Sequence, residues 1–429
     1  MRLFKPYPMA GNRKAAVGFI FITLMIDVTG WGLIIPVLPK LLEGMVDGGL
    51  SEATKYSGWL TFAYAIMQFL FAPVIGNLSD QYGRRQVLLF SLFGFAIDYV
   101  LLALAPNISW LFIGRIIAGI TGASFTTAAA YIADVSTHET RAKNFGMIGA
   151  AFGLGFILGP ALGGLLGELG PRVPFIAAAI LTGLNWLYGY FVLPESLPLE
   201  NRRKFEWKRA NPVGAFLLLK RYPAIGGLVI SLILVYIAAH SVQSTWSFFN
   251  IEKFGWSEGL IGASLAVVGI LVAAVQGGLI RVLTPKIGNE KSIYLGLFLY
   301  SIGLFLFAFA TQGWMMFAFL VPYCLGGIAG PALQAVISGH VPSNEQGELQ
   351  GTMTALMSVT MIIGPLLMSY VFSYFTKKTA TVYFPGAAFL LGAVLMLASA
   401  IIAYFILKEE RRTHPELIQV LDGAKQEEV

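Results

Sequence analysis

Charged residues are scarce in this sequence. Of its 429 residues, 12% are Asp, Glu, Lys or Arg, against about 25% in an ordinary soluble protein. Apolar residues make up 56% of the chain. This balance excludes an ordinary soluble domain and indicates a protein that crosses a membrane many times.

Cysteine and histidine are also rare. The one cysteine, Cys324, lies in an apolar run, which excludes an intrachain disulfide and a multi-cysteine metal site. The four histidines are scattered without the spacing of metal ligands, so we expect neither a metal nor a cofactor. The sequence also lacks G-x-S-x-G, H-E-x-x-H and a phosphate-binding loop, so we do not expect an enzyme.

Twelve apolar runs of about 18 to 25 residues predict an all-α integral membrane protein with twelve transmembrane helices. The first is expected to be a retained helix, because no A-x-A cleavage pattern follows it. The predicted spans are 15–38, 58–75, 87–105, 108–133, 145–166, 174–193, 225–249, 260–280, 292–310, 314–339, 349–375 and 384–407.

Basic residues concentrate in the short connections between these spans. The N-terminus, the even-to-odd connections and the C-terminal tail hold 22 of the 29 Lys and Arg, six lie on the other side, and Arg115 lies within a span. The positive-inside rule therefore predicts that both termini are cytoplasmic. It also accounts for the net charge of +6, so we expect no nucleic-acid partner.

The sequence repeats itself at a constant offset of 205 residues. Gly83 corresponds to Gly288, Gly146 to Gly351, and Gly159-Pro160 to Gly364-Pro365. A repeat of this kind is typical of a two-bundle transporter. We therefore predict an N-terminal six-helix bundle (1–193), a cytoplasmic linker (194–222), a C-terminal six-helix bundle (223–407) and a cytoplasmic tail (408–429).

The connection between the second and third spans carries a distinctive motif, GNLSDQYGRRQVLL, over residues 76–89. Its charges predict a turn at a membrane surface. The order G-x-L-S-D-x-x-G-R-R resembles the loop signature of the major facilitator superfamily. The resemblance implies that Gly76 permits close packing and that a cytoplasmic gate is formed by Asp80, Gly83, Arg84 and Arg85, joined by Asp134 and Arg141 of the next cytoplasmic loop.

Three ionisable residues lie within the predicted spans of the first half. Asp27 shares a helical face with Thr23 and Gly30 and should face the protein interior, because a carboxylate in mid-bilayer costs about 2.5–3.5 kcal/mol. It serves either proton or substrate binding, or caps a neighbouring helix. Arg115 needs a partner, and a link to Asp27 is one option. Asp98 is either a second proton carrier or a packing residue.

A glycine-dense segment, GLGFILGPALGG, fills residues 153–164 of the fifth span. Pro160 removes a backbone hydrogen bond beside Gly159, which predicts a bent, closely packed helix at an interface between the halves. The spacing G-x(8)-G-x(3)-G-P-x(2)-G-G resembles the pattern of antiporters in the same superfamily.

Several polar side chains within the spans are candidates for substrate contact. Each is as well suited to joining helices as to binding a ligand. A methionine stripe on the eleventh span, at positions 353, 357 and 361, suits either packing or a pocket for apolar ligands. The candidate substrate contacts are Tyr64, Gln68, His240, Gln243, Gln276, Gln334 and Met357.

Longer stretches resemble the tetracycline-resistance-type drug:proton antiporters. They include DVTGWGLIIPVLP at 27–39, GRIIAGITGA at 114–123, FGWSEGLIGASLAVVGIL at 254–271 and GGIAGPALQAVIS at 326–338. The resemblance implies alternating access between two bundles, export of an amphipathic drug, import of protons, and a bacterial inner membrane. It makes Asp27 and Asp98 the coupling acids and Arg115 their stabilising partner.

The chain departs from that family at two positions. Val272 replaces a histidine typical of the eighth span, and Tyr300 replaces an aspartate of the ninth. Valine cannot titrate, and tyrosine is a poor proton carrier at neutral pH. The leading hypothesis is a proton-coupled antiporter that exports a small amphipathic, drug-like compound by alternating access. The alternatives are a proton symporter or uniporter for a sugar, vitamin or other metabolite, and a non-transporting receptor. In each case we expect a monomer in a lipid bilayer.

Overall fold

The computed structural model describes residues 13–122, 124–137, 140–206, 223–342 and 345–413. Within those residues, twelve helices are long and apolar enough to cross a membrane. They coincide with the twelve predicted spans, because each apolar run satisfies its own backbone hydrogen bonds most readily as a helix. The N-terminus, most of the linker and the end of the tail lie outside the described residues.

Eight α-helices make up the described part of the first half of the chain. The fourth span consists of two of them, α5 and α6. The bounds are α1 Arg13–Ile34, α2 Leu38–Glu43, α3 Gly49–Tyr82, α4 Arg84–Leu104, α5 Ile108–Thr121, α6 Ser124–Val135, α7 Arg141–Gly167 and α8 Val173–Val192.

A further eight α-helices make up the part of the second half that the structure describes. The eighth span passes from α10 to α11 through a π-helical turn at Val275–Leu279, and the tenth passes from α13 to α14 through a 3₁₀ turn at Gly326–Ile328. The bounds are α9 Pro223–Phe254, α10 Glu258–Ala274, α11 Ile280–Ile287, α12 Asn289–Phe309, α13 Gly313–Leu325, α14 Ala329–Gly339, α15 Gln346–Thr376 and α16 Ala387–Thr413.

Contacts divide the described chain into two compact units. The first contains the described parts of 1–41, 63–212 and 257–266, and the second contains those of 42–62, 213–256 and 267–429. The start of α10 thus packs within the first unit and the start of α3 within the second. The division into bundles at 193 and 223 stays a prediction.

The signature motif is mostly helical, which corrects the prediction of a turn over residues 76–89. Helix α3 continues through Gly76 and Asp80 to Tyr82, and α4 begins at Arg84. The break is the single residue Gly83, whose φ of 101° is reached easily only by glycine. A one-residue reversal is enough because both flanking segments keep their helical hydrogen bonds.

Glycines of α7 bring its backbone against that of α1. A Cβ at Gly155 would lie 2.8 Å from the Met25 carbonyl oxygen, and one at Gly159 would lie 2.7 Å from the Thr29 oxygen. Helices in lipid associate through small residues that permit such approach. The α7 glycines therefore fix the segment of α1 that carries Asp27.

A neighbouring face of α7 packs on the start of α10 in the same unit. A Cβ at Gly164 would lie 2.6 Å from the Glu258 carbonyl oxygen and 3.0 Å from the Gly262 Cα. Glu258 Oε1 also lies 2.7 Å from Lys40 Nζ. The glycine-rich helix thus joins α1 and the start of α10 through its small residues.

Candidate functional site

A buried ion pair lies between α4 and α5. Asp98 is fully buried, and its Oδ1 accepts a hydrogen bond of 3.2 Å from Arg115 Nε while its Oδ2 contacts Arg115 Nη2. The Arg115 side chain is 14% exposed. Gly114 makes room for the pair, because a Cβ there would lie 2.7 Å from Asp98 Oδ1. Arg115 therefore forms its salt bridge with Asp98, whereas the sequence left a link to Asp27 open.

Two tyrosines surround this pair. The Arg115 guanidinium carbon lies 5.9 Å from the centre of the Tyr64 ring, within the range of a cation–π contact. Both Tyr64 and Tyr99 interact electrostatically with Asp27, Asp98 and Arg115. Tyr99 is a site neighbour that the sequence analysis missed, since a tyrosine beside an acid in a span gives no signal of its own. The structure thus brings five polar side chains into one ionic cluster.

Asp27 is held in this cluster by the packing of α1. One turn before it, Thr23 donates to Asn185 Oδ1 of α8 at 3.2 Å, and the Asn185 amide donates to the Thr23 carbonyl oxygen at 3.3 Å. Three residues after it, Gly30 faces Tyr99, whose hydroxyl would lie 3.3 Å from a Cβ there. The predicted face of Thr23, Asp27 and Gly30 therefore points into the first unit.

The signature motif anchors a second ionic network on Arg84. Its Nη1 lies 2.6 Å from Asp80 Oδ1, and its Nε lies 3.2 Å from Asp134 Oδ2. Asp134 also accepts a hydrogen bond of 3.0 Å from Ser196. The predicted grouping of Asp80, Arg84 and Asp134 is thus present within the first unit.

Glu195 completes this network and was missed from the sequence. Its Oε1 accepts from the backbone N–H of Arg84 at 2.8 Å and from those of Ser196 and Leu197 at 3.0 and 3.1 Å. A carboxylate that accepts from a first-turn N–H stabilises a helix N-terminus, here that of α4. The signal available was an acid directly after the sixth span, which the sequence analysis assigned to the linker.

The segment after Glu195 docks on the signature motif. The Arg203 N–H donates to the Asp80 carbonyl oxygen at 3.1 Å, and the Asn77 amide donates to the Glu206 carbonyl oxygen at 2.7 Å. The beginning of the predicted linker is therefore part of the first unit's structure.

Three further gate predictions have different outcomes. Arg85 donates to the Tyr190 carbonyl oxygen at 2.6 Å and so contacts the end of α8. A Cβ at Gly76 would meet no atom of the described chain within 4 Å, so close packing does not demand glycine there in this conformation. The side chain of Arg141 lies outside the described residues.

In the second unit, His240 is the buried ionisable candidate. It is 6% exposed, and its imidazole ring faces the Cα of Gly364, where a Cβ would overlap the ring. Within the described residues, its buried Nδ1 has no hydrogen-bond partner. The repeated glycine-proline pair of α15 thus leaves space for a titratable ring.

The remaining substrate candidates make simpler contacts. Gln68 donates to the Gly122 carbonyl oxygen at 3.0 Å, and Gln334 donates to the Tyr236 hydroxyl at 2.9 Å. Gln243 is exposed, Met357 is 44% exposed, and Gln276 lies in the π-helical turn. Gln68 and Gln334 therefore join helices, whereas the side chains of Gln243, Gln276 and Met357 are exposed.

The two family departures, Val272 and Tyr300, are both half-buried. Tyr300 lies 5.1 Å from Tyr323, measured between ring centres. Among the described residues no cluster of His, Cys, Asp and Glu is suited to hold a metal ion. The strongest ionic chemistry within the described spans is therefore that around Asp98 and Arg115.

Comparisons with known proteins show the family to which the chain belongs. The sequence profile of the Major Facilitator Superfamily matches residues 20–330 and 279–423. The chain is 42% identical over 375 residues to the class C tetracycline resistance protein of Escherichia coli, covering 87% of this chain and 93% of that protein. It is 38% identical over 409 residues to the class H tetracycline resistance protein of Pasteurella multocida, covering 94% and 98%.

Solved structures give the same fold. The human organic anion transporter MFSD10 (TETRAN) superposes with a TM-score of 0.68 at 23% identity, covering 91% of this chain and 99% of that one. The predicted major facilitator fold is confirmed, and so is the prediction of a transporter rather than an enzyme or a receptor. This chain therefore belongs to the major facilitator superfamily, among its tetracycline-resistance-type antiporters.

Proposed function

We propose that this chain exports a small amphipathic, drug-like compound in exchange for protons. The names of its relatives make tetracycline the first compound to test. The protein works as a multi-pass monomer in a bacterial inner membrane. Both termini face the cytoplasm, because the side on which they lie holds most of the Lys and Arg.

The observation that carries this proposal is the ionic cluster within the membrane-spanning part. Asp98 is fully buried with Arg115 as its partner, and Asp27 interacts with the two tyrosines beside them. Ionisable side chains at membrane depth cost free energy and mark ion or substrate pathways. Two acids and one arginine within a single unit supply both a site for protons and a fixed positive charge.

Exchange requires that protons and substrate compete, or that they favour opposite-facing states. We assign Asp27 the exchanged proton: protonation from outside removes its negative charge beside Tyr64 and Tyr99, weakens substrate binding, and is reversed when the site opens inward. Asp98 and Arg115 hold the cluster in place, because neither charge tolerates the loss of the other. Asp98 is the second candidate for proton exchange.

We assign the network around Arg84 to a gate on the cytoplasmic side. Asp80, Asp134 and Glu195 hold Arg84 and the α3–α4 junction in one arrangement. A transporter that alternates between states needs ionic contacts that form in one state and open in another. As substrate contacts, Tyr64, Gln68, His240, Gln243, Gln276, Gln334 and Met357 stay predictions.

The test is reconstitution of the purified protein in liposomes that contain a pH-sensitive dye. A proton gradient is imposed, and tetracycline and a panel of other amphipathic drugs and metabolites are added. We expect substrate-dependent proton movement, opposite in direction to the substrate, that disappears in Asp27→Asn. A matched control is Asp47→Asn, the same chemical change in an exposed loop, which should leave transport unchanged.

Other outcomes select the alternatives. Protons and substrate moving in the same direction would indicate a symporter, and substrate movement without any proton flux would indicate a uniporter. Proton exchange that persists in Asp27→Asn but is lost in Asp98→Asn would move the coupling role to Asp98. If no compound moved while the protein remained folded, transport itself would be refuted.

A further inference from the structure

A groove on the surface of the second unit runs between the first part of α3 and the second part of α15. Its volume is about 400 Å³, within the ~300–1,000 Å³ typical of small-molecule sites. Its lining is apolar apart from one cation and one phenol. The lining residues are Lys55, Trp59, Phe62, Ile362, Ile363, Leu366, Leu367 and Tyr370.

The two helices that form the groove are held together by small residues. The Ser51 hydroxyl donates to the Ser373 carbonyl oxygen at 2.8 Å, and a Cβ at Gly58 would lie 2.8 Å from the Ser369 Cβ. These contacts bring α3 and α15 close on one face, so the larger side chains diverge beside it. The groove is therefore built into the seam rather than left by a single missing side chain.

Lys55 stands at one end of this groove without a protein partner. It is exposed and forms no ion pair or hydrogen bond with the described residues. The nearest acid on its own helix, Glu52, lies instead over Gly48. By contrast, Lys40 pairs with Glu258. The groove thus joins one available positive charge to an apolar surface.

The positions of the aromatic residues indicate how a ligand lies there. Trp59 and Tyr370 are 42% and 57% exposed. One turn beyond Tyr370, Lys377 Nζ lies 4.7 Å from the centre of the Tyr374 ring. Exposed Trp, Tyr and Lys mark the level of lipid headgroups. From Lys55 to Phe62 the apolar wall extends about 10 Å along the helix, away from the charge.

We propose that this groove binds an anionic phospholipid, with its phosphate on Lys55 and an acyl chain along Trp59, Ile363 and Leu367. A lysine is a point-charge partner for phosphate, and the apolar wall beside it suits an acyl chain. The walls come from two helices, so the lipid binds this arrangement of the seam better than one in which they part.

Native mass spectrometry tests the site directly. The full chain in detergent is titrated with phosphatidylglycerol and with phosphatidylcholine that carry the same acyl chains. We expect phosphatidylglycerol to bind wild type at several-fold lower concentration. Lys55→Gln should lose that preference, Lys55→Arg should keep it, and the matched control Lys378→Gln, an exposed cation outside the groove, should leave it unchanged.

A second variant separates the groove from the charge. Ile363→Trp fills the apolar part and should reduce binding of both lipids, while thermal unfolding confirms that the variant is folded. Equal preference in Lys55→Gln and wild type would overturn the assignment, as would equal losses in Lys55→Gln and Lys378→Gln. Displacement of the lipid by a transported drug would also overturn it, because the groove would then be a substrate path.

Discussion

The two repeated glycine-proline pairs bring different partners into the two units. In α7, a Cβ at Gly159 would lie 2.7 Å from the Thr29 carbonyl oxygen and 2.8 Å from the Gly32 Cα. In α15, the corresponding Gly364 faces the imidazole ring of His240. The same sequence feature thus joins two backbones in one unit and accommodates a titratable side chain in the other.

The buried ion pair of the first unit also has no charged counterpart at the repeated positions of the second. Asp98 and Arg115 correspond, at the offset of 205, to Gly303 and Leu320. A Cβ at Gly303 would lie 2.7 Å from the Tyr323 Cα, so the second unit repeats the close packing with neutral residues. At these two positions the repeat therefore keeps the close helix packing but not the charges.

The largest effect should come from breaking the buried ion pair. Arg115→Leu leaves the Asp98 carboxylate buried without its cation, which costs about 3–5 kcal/mol when such a pair loses one partner. We expect a marked fall in the thermal unfolding temperature of the purified protein, together with loss of transport. The comparison position, Leu320→Met, changes a buried neutral residue at nearly constant volume and should cost less than about 1.5 kcal/mol.

A double variant then separates folding from chemistry. Asp98→Asn with Arg115→Gln removes both charges and should recover most of the lost thermal stability, but not transport. An unfolding temperature for Arg115→Leu that matches wild type would mean that Asp98 needs no cation, and the assignment of the cluster would fail.

The second prediction contrasts the two glycines. Alanine at either position overpacks the interface, at a cost of about 1–3 kcal/mol. Gly364→Ala should be rescued by His240→Ala, because the atoms in the way belong to a side chain. Gly159→Ala should resist rescue by any side-chain change in α1, because its neighbours there are backbone atoms.

Thermal unfolding of Gly364→Ala, His240→Ala, their double variant and Gly159→Ala measures this contrast. Gly146→Ala is the control, since a Cβ there meets no atom of the described chain within 4 Å. If His240→Ala failed to relieve Gly364→Ala, the imidazole would not be what fills the space beside the repeated glycine.

How much of the fold and of the candidate site could be predicted from the sequence depends on how far apart along the chain the contacting residues lie. The twelve spans were predictable, since each apolar run determines its own helix. The pairing of Arg115 with Asp98 rather than Asp27 was not, because both acids lie in spans and only the packing of α4 on α5 selects between them. Glu195 was overlooked because hydropathy ends the sixth span before it, whereas its partner Arg84 lies more than a hundred residues earlier.

The smallest effect is expected for the difference in thermal stability between alanine variants of the two glycines that end helices at corresponding positions. Gly83 and Gly288 have φ values of 101° and 83° with ψ values of 154° and 165°, a backbone region in which a residue other than glycine costs about 1–3 kcal/mol. A Cβ at Gly83 would in addition overlap the Glu195 carboxylate. Gly83→Ala should therefore lower thermal stability more than Gly288→Ala does.

A double-mutant cycle with Glu195→Ala isolates that addition. Once Glu195 is removed, the further cost of Gly83→Ala should fall towards that of Gly288→Ala, because the backbone conformation and Arg202, whose Nη2 would lie 2.6 Å from the same Cβ, are what still disfavour alanine. Additive effects of Gly83→Ala and Glu195→Ala would contradict this, and would mean that the carboxylate moves aside without loss. Coupling between them would instead show that the first unit keeps the repeated backbone turn and has added an acid that depends on it.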